Sequence, residues 1–145
     1  MSLPILFGRR AKNLLRWSED FSQGTWGKNA GATVTGTSVL NASAGYLQCG
    51  VAMGPPGPYT FAVLVSVPSA ITLRLELTDG SDGVPAFDVF VPIGPGVSRI
   101  KTTGFMPAGT GLLAGLIFAN ASVAVTIYRA TLTAGSSFPK YQKTS

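Results

Sequence analysis

Apolar residues in this chain recur at a spacing of two. Ile71, Leu73, Leu75 and Leu77 alternate with Thr72, Arg74, Glu76 and Thr78. That is the pattern of a strand with one buried and one wet face. Phe61, Val63, Val65 and Val67 alternate with Ala62, Leu64 and Ser66. Both faces there are fairly apolar, which suits a central strand with a covered outer face. Further strands are predicted over 32–39, 45–52, 85–92, 97–104, 111–119 and 122–132. In the last, the alternation slips where Ile127 and Tyr128 are adjacent, which predicts a β-bulge. No segment sustains a 3.6-residue period, and residues 11–22 have room for one helical turn at most.

Turn signals separate these runs. They include Gly54-Pro55-Pro56-Gly57-Pro58, Asp79-Gly80-Ser81-Asp82-Gly83, Gly94-Pro95-Gly96 and Pro107-Ala108-Gly109. Strands of this length between Gly/Pro turns predict an all-β sandwich or barrel. The chain has 145 residues and no internal repeat, so one domain is expected.

Charge constrains the surface. Only 12% of residues are charged and 46% are hydrophobic, against roughly 25% charged in an average soluble domain. Such a chain either spans a membrane or turns much of its surface toward other protein. The charge-free stretch from Thr102 to Tyr128 is long enough to raise a membrane span. Pro107, Gly111, Gly115 and Asn120-Ala121-Ser122 break it, and Val123, Val125 and Ile127 alternate with small or polar residues. Two strands and a turn account for it better, so no membrane partner is expected. With few charges to guard its strand edges, the chain is expected to form an oligomer.

The formal net charge is +5, and it comes from the two ends. Arg9, Arg10, Lys12 and Arg16 lead, and Lys140 and Lys143 close the chain. Between 17 and 139 five basic and six acidic residues leave a net −1. No uniformly basic face is therefore expected, which speaks against nucleic acid as a partner. The apolar run Met1–Phe7 precedes the arginines, the reverse of a secretion signal. The lone Cys49 forms no intrachain disulfide and reads as a buried, inert thiol.

The chain contains no histidine. This removes Ser–His and Cys–His nucleophilic sites and imidazole zinc sites. No phosphate loop of Walker type is present. The carboxylates are Glu19, Asp20, Glu76, Asp79, Asp82 and Asp88. Glu76 reads as a solvated strand residue beside Arg74. Asp79 and Asp82 lie in a Gly-rich turn, where Asp bonds its own backbone. Those two with nearby carbonyls make only a weak calcium site. The expectation is a non-enzymatic protein with no cofactor and no metal.

Two binding features remain. Trp26 and Tyr59 are candidate glycan contacts, although such side chains more often pack a core. Leu3, Ile5 and Phe7 precede Arg9, Arg10, Lys12 and Arg16, which makes residues 1–12 a candidate basic and apolar docking arm ahead of a 13–145 domain. Single exposed ion pairs contribute only about 0–1 kcal/mol, so such an arm gains strength through several copies.

The order Asn13-Leu14-Leu15, Ser18-Glu19-Asp20-Phe21, Trp26-Gly27-Lys28, Ala32-Thr33-Val34-Thr35 resembles a segment of tailed-bacteriophage virion proteins. Gly57-Pro58-Tyr59-Thr60-Phe61 is similar to that family's entry to its central strand. Ala130-Thr131-Leu132-Thr133-Ala134-Gly135, then Tyr141 and Thr144, is similar to its close. The resemblance spans about residues 13–144. It implies an antiparallel jelly-roll β-sandwich like that of carbohydrate-binding modules. Relatives occur as capsid decorations and as head or tail fibres. Where the family pattern has Trp-Gly-Ala-Gln-Leu-Glu, this chain has Tyr128-Arg129-Ala130-Thr131-Leu132-Thr133, without the Gln and Glu that could serve a ligand.

The reading is a structural virion protein, made in the host cytoplasm and carried on the phage particle. It is expected to be a capsid decoration or cement protein, a homo-oligomer with a trimer favoured, bound to the major capsid protein or other virion proteins through its arm. The alternatives are a glycan-binding module of a fibre that recognises a host glycan, and a tail or connector component.

Overall fold

The computed structural model describes residues 13–15, 18–28, 32–42, 45–52, 56–78, 85–106, 112–119, 123–135 and 143–144. These residues build ten strands: β1 (Trp26–Lys28), β2 (Ala32–Thr35), β3 (Val39–Ala42), β4 (Gly45–Ala52), β5 (Gly57–Val67), β6 (Ile71–Thr78), β7 (Pro85–Ile93), β8 (Gly96–Met106), β9 (Leu112–Ala119) and β10 (Val123–Ala134). They form two five-stranded sheets, ordered β1-β4-β9-β6-β7 and β2-β3-β10-β5-β8. Every strand pairing is antiparallel. The architecture is an all-β jelly-roll sandwich, as the strand alternation and the family resemblance predict.

Alternation builds the core. Leu73, Leu75 and Leu77 of β6 face Phe61, Val63 and Val65 of β5, joined by Leu40, Leu47, Ile127 and Leu132, all nearly inaccessible to water. Cys49 is buried among them, as predicted. The Thr102–Tyr128 stretch divides between β8, β9 and β10. Among the described residues no helix is long and apolar enough to cross a membrane.

Two local features refine the sequence reading. The strand predicted over 32–39 is a hairpin: β2 ends at Thr35, and β3 begins at Val39. Gly36 turns the chain at φ 62°, a left-handed conformation that glycine adopts without steric cost. The bulge predicted at Ile127–Tyr128 is present. Ile127 pairs with Val65 and Arg129 with Leu64, leaving Tyr128 as the extra residue.

β10 lies between β3 and β5, but β3 covers only its first four residues, Val123–Thr126. Described residues of the segment before β1 continue along the same edge at Ala130 and Leu132. Leu14 donates to the Leu132 carbonyl at 2.8 Å, and the Ala130 amide donates to Ser18 at 3.0 Å. The side chain of Asn13, 2% exposed, acts as a surrogate peptide. Its Oδ1 accepts from Leu132 and Leu15, and its Nδ2 donates to the Ala130 carbonyl.

Candidate functional site

The outer face of the β1-β4-β9-β6-β7 sheet is organised around β6. On β6 the outward parity carries Thr72, Arg74 and Glu76, and Glu76 is buried there rather than solvated as its sequence position suggests. β7 lies beside it, with Phe90 opposite Arg74 and Asp88 opposite Glu76. On the other side β9 places Phe118 at the register position of Arg74 and Leu116 at that of Glu76. β4 follows with Tyr46 opposite Phe118 and Gln48 opposite Leu116. Two rows therefore cross four strands, a span of about 14 Å at the usual strand spacing. Gly27 stands beside Gln48 at the β1 edge.

Arg74 organises this face. Its guanidinium is bonded to the carboxylate of Glu76, whose side chain is only 5% exposed. The same guanidinium lies 5.0 Å from the centre of the Phe90 ring. A cation over an aromatic face contributes about 0.5–1 kcal/mol at an exposed site. The ion pair thus fixes the cation, and the cation fixes the ring. Phe90 remains 56% exposed, with apolar surface to offer a ligand. Beyond it, at the end of the β6–β7 ladder, Ala70, Ile71, Thr72, Pro92, Ile93 and Gly94 line an open groove of about 420 Å³.

Chemically, this surface can stack, hydrogen-bond and orient. Glu76 is taken up by Arg74, whereas glycoside hydrolysis needs two carboxyl groups flanking one bond. Among the described residues no three His, Cys, Asp or Glu side chains group to hold a metal.

The aromatic residues predicted as glycan contacts lie elsewhere. Trp26 and Tyr59 are each 1% exposed, so neither presents a face to a sugar. Trp26 is directed inward from β1 opposite Cys49, and its ring meets Phe21 edge-on at 4.9 Å. Tyr59 shares the inward parity of Phe61 and Val63 on β5. Leu3, Ile5, Phe7, Arg9, Arg10, Lys12 and Arg16 lie outside the described residues, as do Asp79 and Asp82. Phe90 lies in the strand predicted over 85–92, where local spacing alone does not say which aromatic stays exposed. Its signal was a large aromatic out of phase with Val89, Val91 and Ile93, which pack toward the core.

No family model matches the chain, and no curated protein matches it. Solved structures do. TmCBM61, determined in complex with β-1,4-galactotriose, superposes with a TM-score of 0.60 at 14% identity, over 86% of this chain and 100% of that one. The fold is that of carbohydrate-binding modules. The tandem CBM22-1–CBM22-2 domain of Paenibacillus barcinonensis Xyn10C gives a TM-score of 0.62 at 13% identity, over 92% of this chain and 48% of that one. The bacteriophage CBA120 tailspike protein 4 enzymatically active domain gives 0.63 at 14% identity, over 85% of this chain but only 21% of that one. At such identities the likeness is one of fold.

Proposed function

We propose that the chain is a non-catalytic glycan-binding module whose ligand lies across the outer face of the β1-β4-β9-β6-β7 sheet. The observation that carries this reading is Phe90, an aromatic ring more than half exposed and held in place by Arg74. A sugar ring stacks its C–H face on such a ring, while Tyr46 and Gln48, both half-buried in the adjacent rows, supply a hydroxyl and an amide. The groove beside Pro92 extends the surface for a second ring. The likeness to modules solved with bound oligosaccharide supports the same reading. Titration with β-1,4-linked galacto-, cello- and xylo-oligosaccharides tests it. Binding that disappears in Phe90→Ala, with melting unchanged, is the expected result. Absence of binding to every glycan on a broad array, or full binding by Phe90→Ala, overturns it.

A second reading makes the protein a capsid decoration or other virion component, and one observation favours it. Thr144 bonds to Ser18 and Leu15, so the described residues that follow the basic N-terminal sequence meet Thr144 at one margin of the sandwich. Removal of residues 1–12 is expected to leave a folded oligomer that no longer binds particles. Normal decoration by the truncated protein excludes the arm as the anchor.

A further inference from the structure

The body of the chain is almost neutral in sequence, but the topology sorts its charges. The five strands β2, β3, β10, β5 and β8 contain no Asp or Glu and three cations, Arg99, Lys101 and Arg129. The other sheet carries Lys28 and Arg74 against Glu76 and Asp88. The face is not uniformly basic, but the sheet assignment gives its strands cations without acids, because residues distant in sequence become neighbours.

The three cations share the outer face. Arg129 of β10 and Arg99 of β8 are both in register with Leu64 of β5, on its two sides. Two strand spacings place their backbones about 10 Å apart, and Lys101 lies about 7 Å further along β8. The bulge at Tyr128 makes this possible. Simple alternation from the inward Ile127 would direct Arg129 into the core. The extra residue restores Ala130 and Leu132 to the inside and turns Arg129 outward, the re-aiming that bulges perform. Around the cations stand three exposed apolar side chains: Val97 at 62%, Phe105 at 67% and Tyr128 at 45%.

We propose that this face docks the module onto an acidic protein surface, leaving the opposite sheet free for its ligand. Cations mixed with exposed aromatic and aliphatic side chains fit a protein interface, which is rich in Arg and aromatic residues. An acidic glycan would offer the cations the same charge but no apolar side chain for Val97 and Phe105 to pack on, and alginate tests it. Charge on β8 also guards an edge strand against self-association, whereas Arg129 is on an interior strand. The inference stands independently of glycan binding by the Phe90 face.

The test uses the full chain and three immobilised probes: a random glutamate–tyrosine copolymer, poly-L-glutamate and alginate. The copolymer is expected to bind best, with binding that weakens as salt rises. Arg99→Gln/Lys101→Gln/Arg129→Gln is expected to weaken it by about tenfold, at a few tenths to one kcal/mol per charge. Arg9→Gln/Arg10→Gln/Lys12→Gln removes the same charge and is expected to cost under about threefold. Val97→Ser/Phe105→Ser is expected to erase the preference for the copolymer over poly-L-glutamate. Phe90→Ala is expected to bind the copolymer like the wild type, so failure of the glycan reading leaves this result intact. Equal losses in the two triple variants overturn the proposal, as does tighter binding of alginate than of the copolymer. Unchanged copolymer binding with new self-association in the face variant shows that the charges only guard the edge. If circular dichroism shows that variant unfolded, Lys101→Gln alone, at an exposed position, is expected to lose about twofold.

Discussion

Ser18 and Thr144, 126 residues apart in sequence, bond to each other in both directions. The Thr144 amide donates to Ser18 Oγ at 2.9 Å, and the Ser18 amide donates to Thr144 Oγ1 at 3.2 Å. Thr144 Oγ1 also donates to the Leu15 carbonyl. The pair closes the chain end onto the segment that covers β10. Thr144→Val is expected to lower stability by about 1–2 kcal/mol, since Ser18 is fully buried and its amide loses an acceptor. Thr144→Ser keeps the hydroxyl and is expected to stay within about 0.5 kcal/mol. Urea midpoints of the two variants check this.

Asn13 is the larger anchor. Asn13→Ala leaves the Leu132 and Leu15 amides and the Ala130 carbonyl without their side-chain partner in a buried site. A loss of about 2–4 kcal/mol is expected. Asn13→Asp keeps the acceptors but not the donor, and is expected to be intermediate or worse because it adds a buried charge. Thermal melts of the three proteins give the order.

Trp26 and Phe90 are expected to separate stability from binding. Trp26→Ala empties a core position and is expected to cost about 3–5 kcal/mol. Any ligand loss it causes is then a folding effect. Phe90→Ala is expected to cost under about 1 kcal/mol and to remove ligand binding. Denaturation curves run beside glycan titrations distinguish the two.

Arg74 supports its site through Glu76. Arg74→Ala removes the cation from a carboxylate that is only 5% exposed. Removing one partner of a fully buried pair costs about 3–5 kcal/mol. Because the Arg74 side chain is 32% exposed, about 1–3 kcal/mol is expected here. The Phe90 ring also loses its support, so ligand affinity is expected to fall along with the melting temperature. Arg74→Leu/Glu76→Leu is expected to recover stability but not affinity.

Asp20 gives a pH signature. The Ser22 side-chain hydroxyl, then Gln23, donates to its carboxylate and holds its pKa below the ordinary carboxylate value. A depressed folded pKa favours the ionised form in the folded chain. Its stabilisation is present above the unfolded pKa and is lost as pH falls through the folded one. Acidification below the ordinary Asp range is expected to loosen the 20–23 turn, while Asp20→Asn shows no such step. Ser22 amide shifts during an NMR titration report it.

Much of this molecule is legible from local pattern. Ile71–Leu77 and Phe61–Val67 declare their inward residues, because alternation on a strand depends only on near neighbours. The bulge at Tyr128 was legible for the same reason: a slip in alternation is a local event. Gly36 was harder. It looks like any small residue between strands until its positive φ makes the 32–42 stretch a hairpin. Trp26 and Tyr59 stayed open between core and glycan contact, with the core favoured, because a large aromatic suits both; their burial between the sheets decides for the core.

The sequence by itself determined most of the strands, the buried faces of β5 and β6 and the absence of histidine chemistry, since these follow from residue type and local spacing. The tertiary structure alone decided the neighbours. It set Phe90 against Arg74, joined Thr144 to Ser18, and brought Arg129 beside Arg99 across β5. Those contacts are non-local pairings, fixed by which sheet each strand enters, and no short-range pattern records that choice. The sorting of charge onto one face is the clearest case: a nearly neutral body in sequence becomes a basic face and a mixed one once the strands are dealt between two sheets.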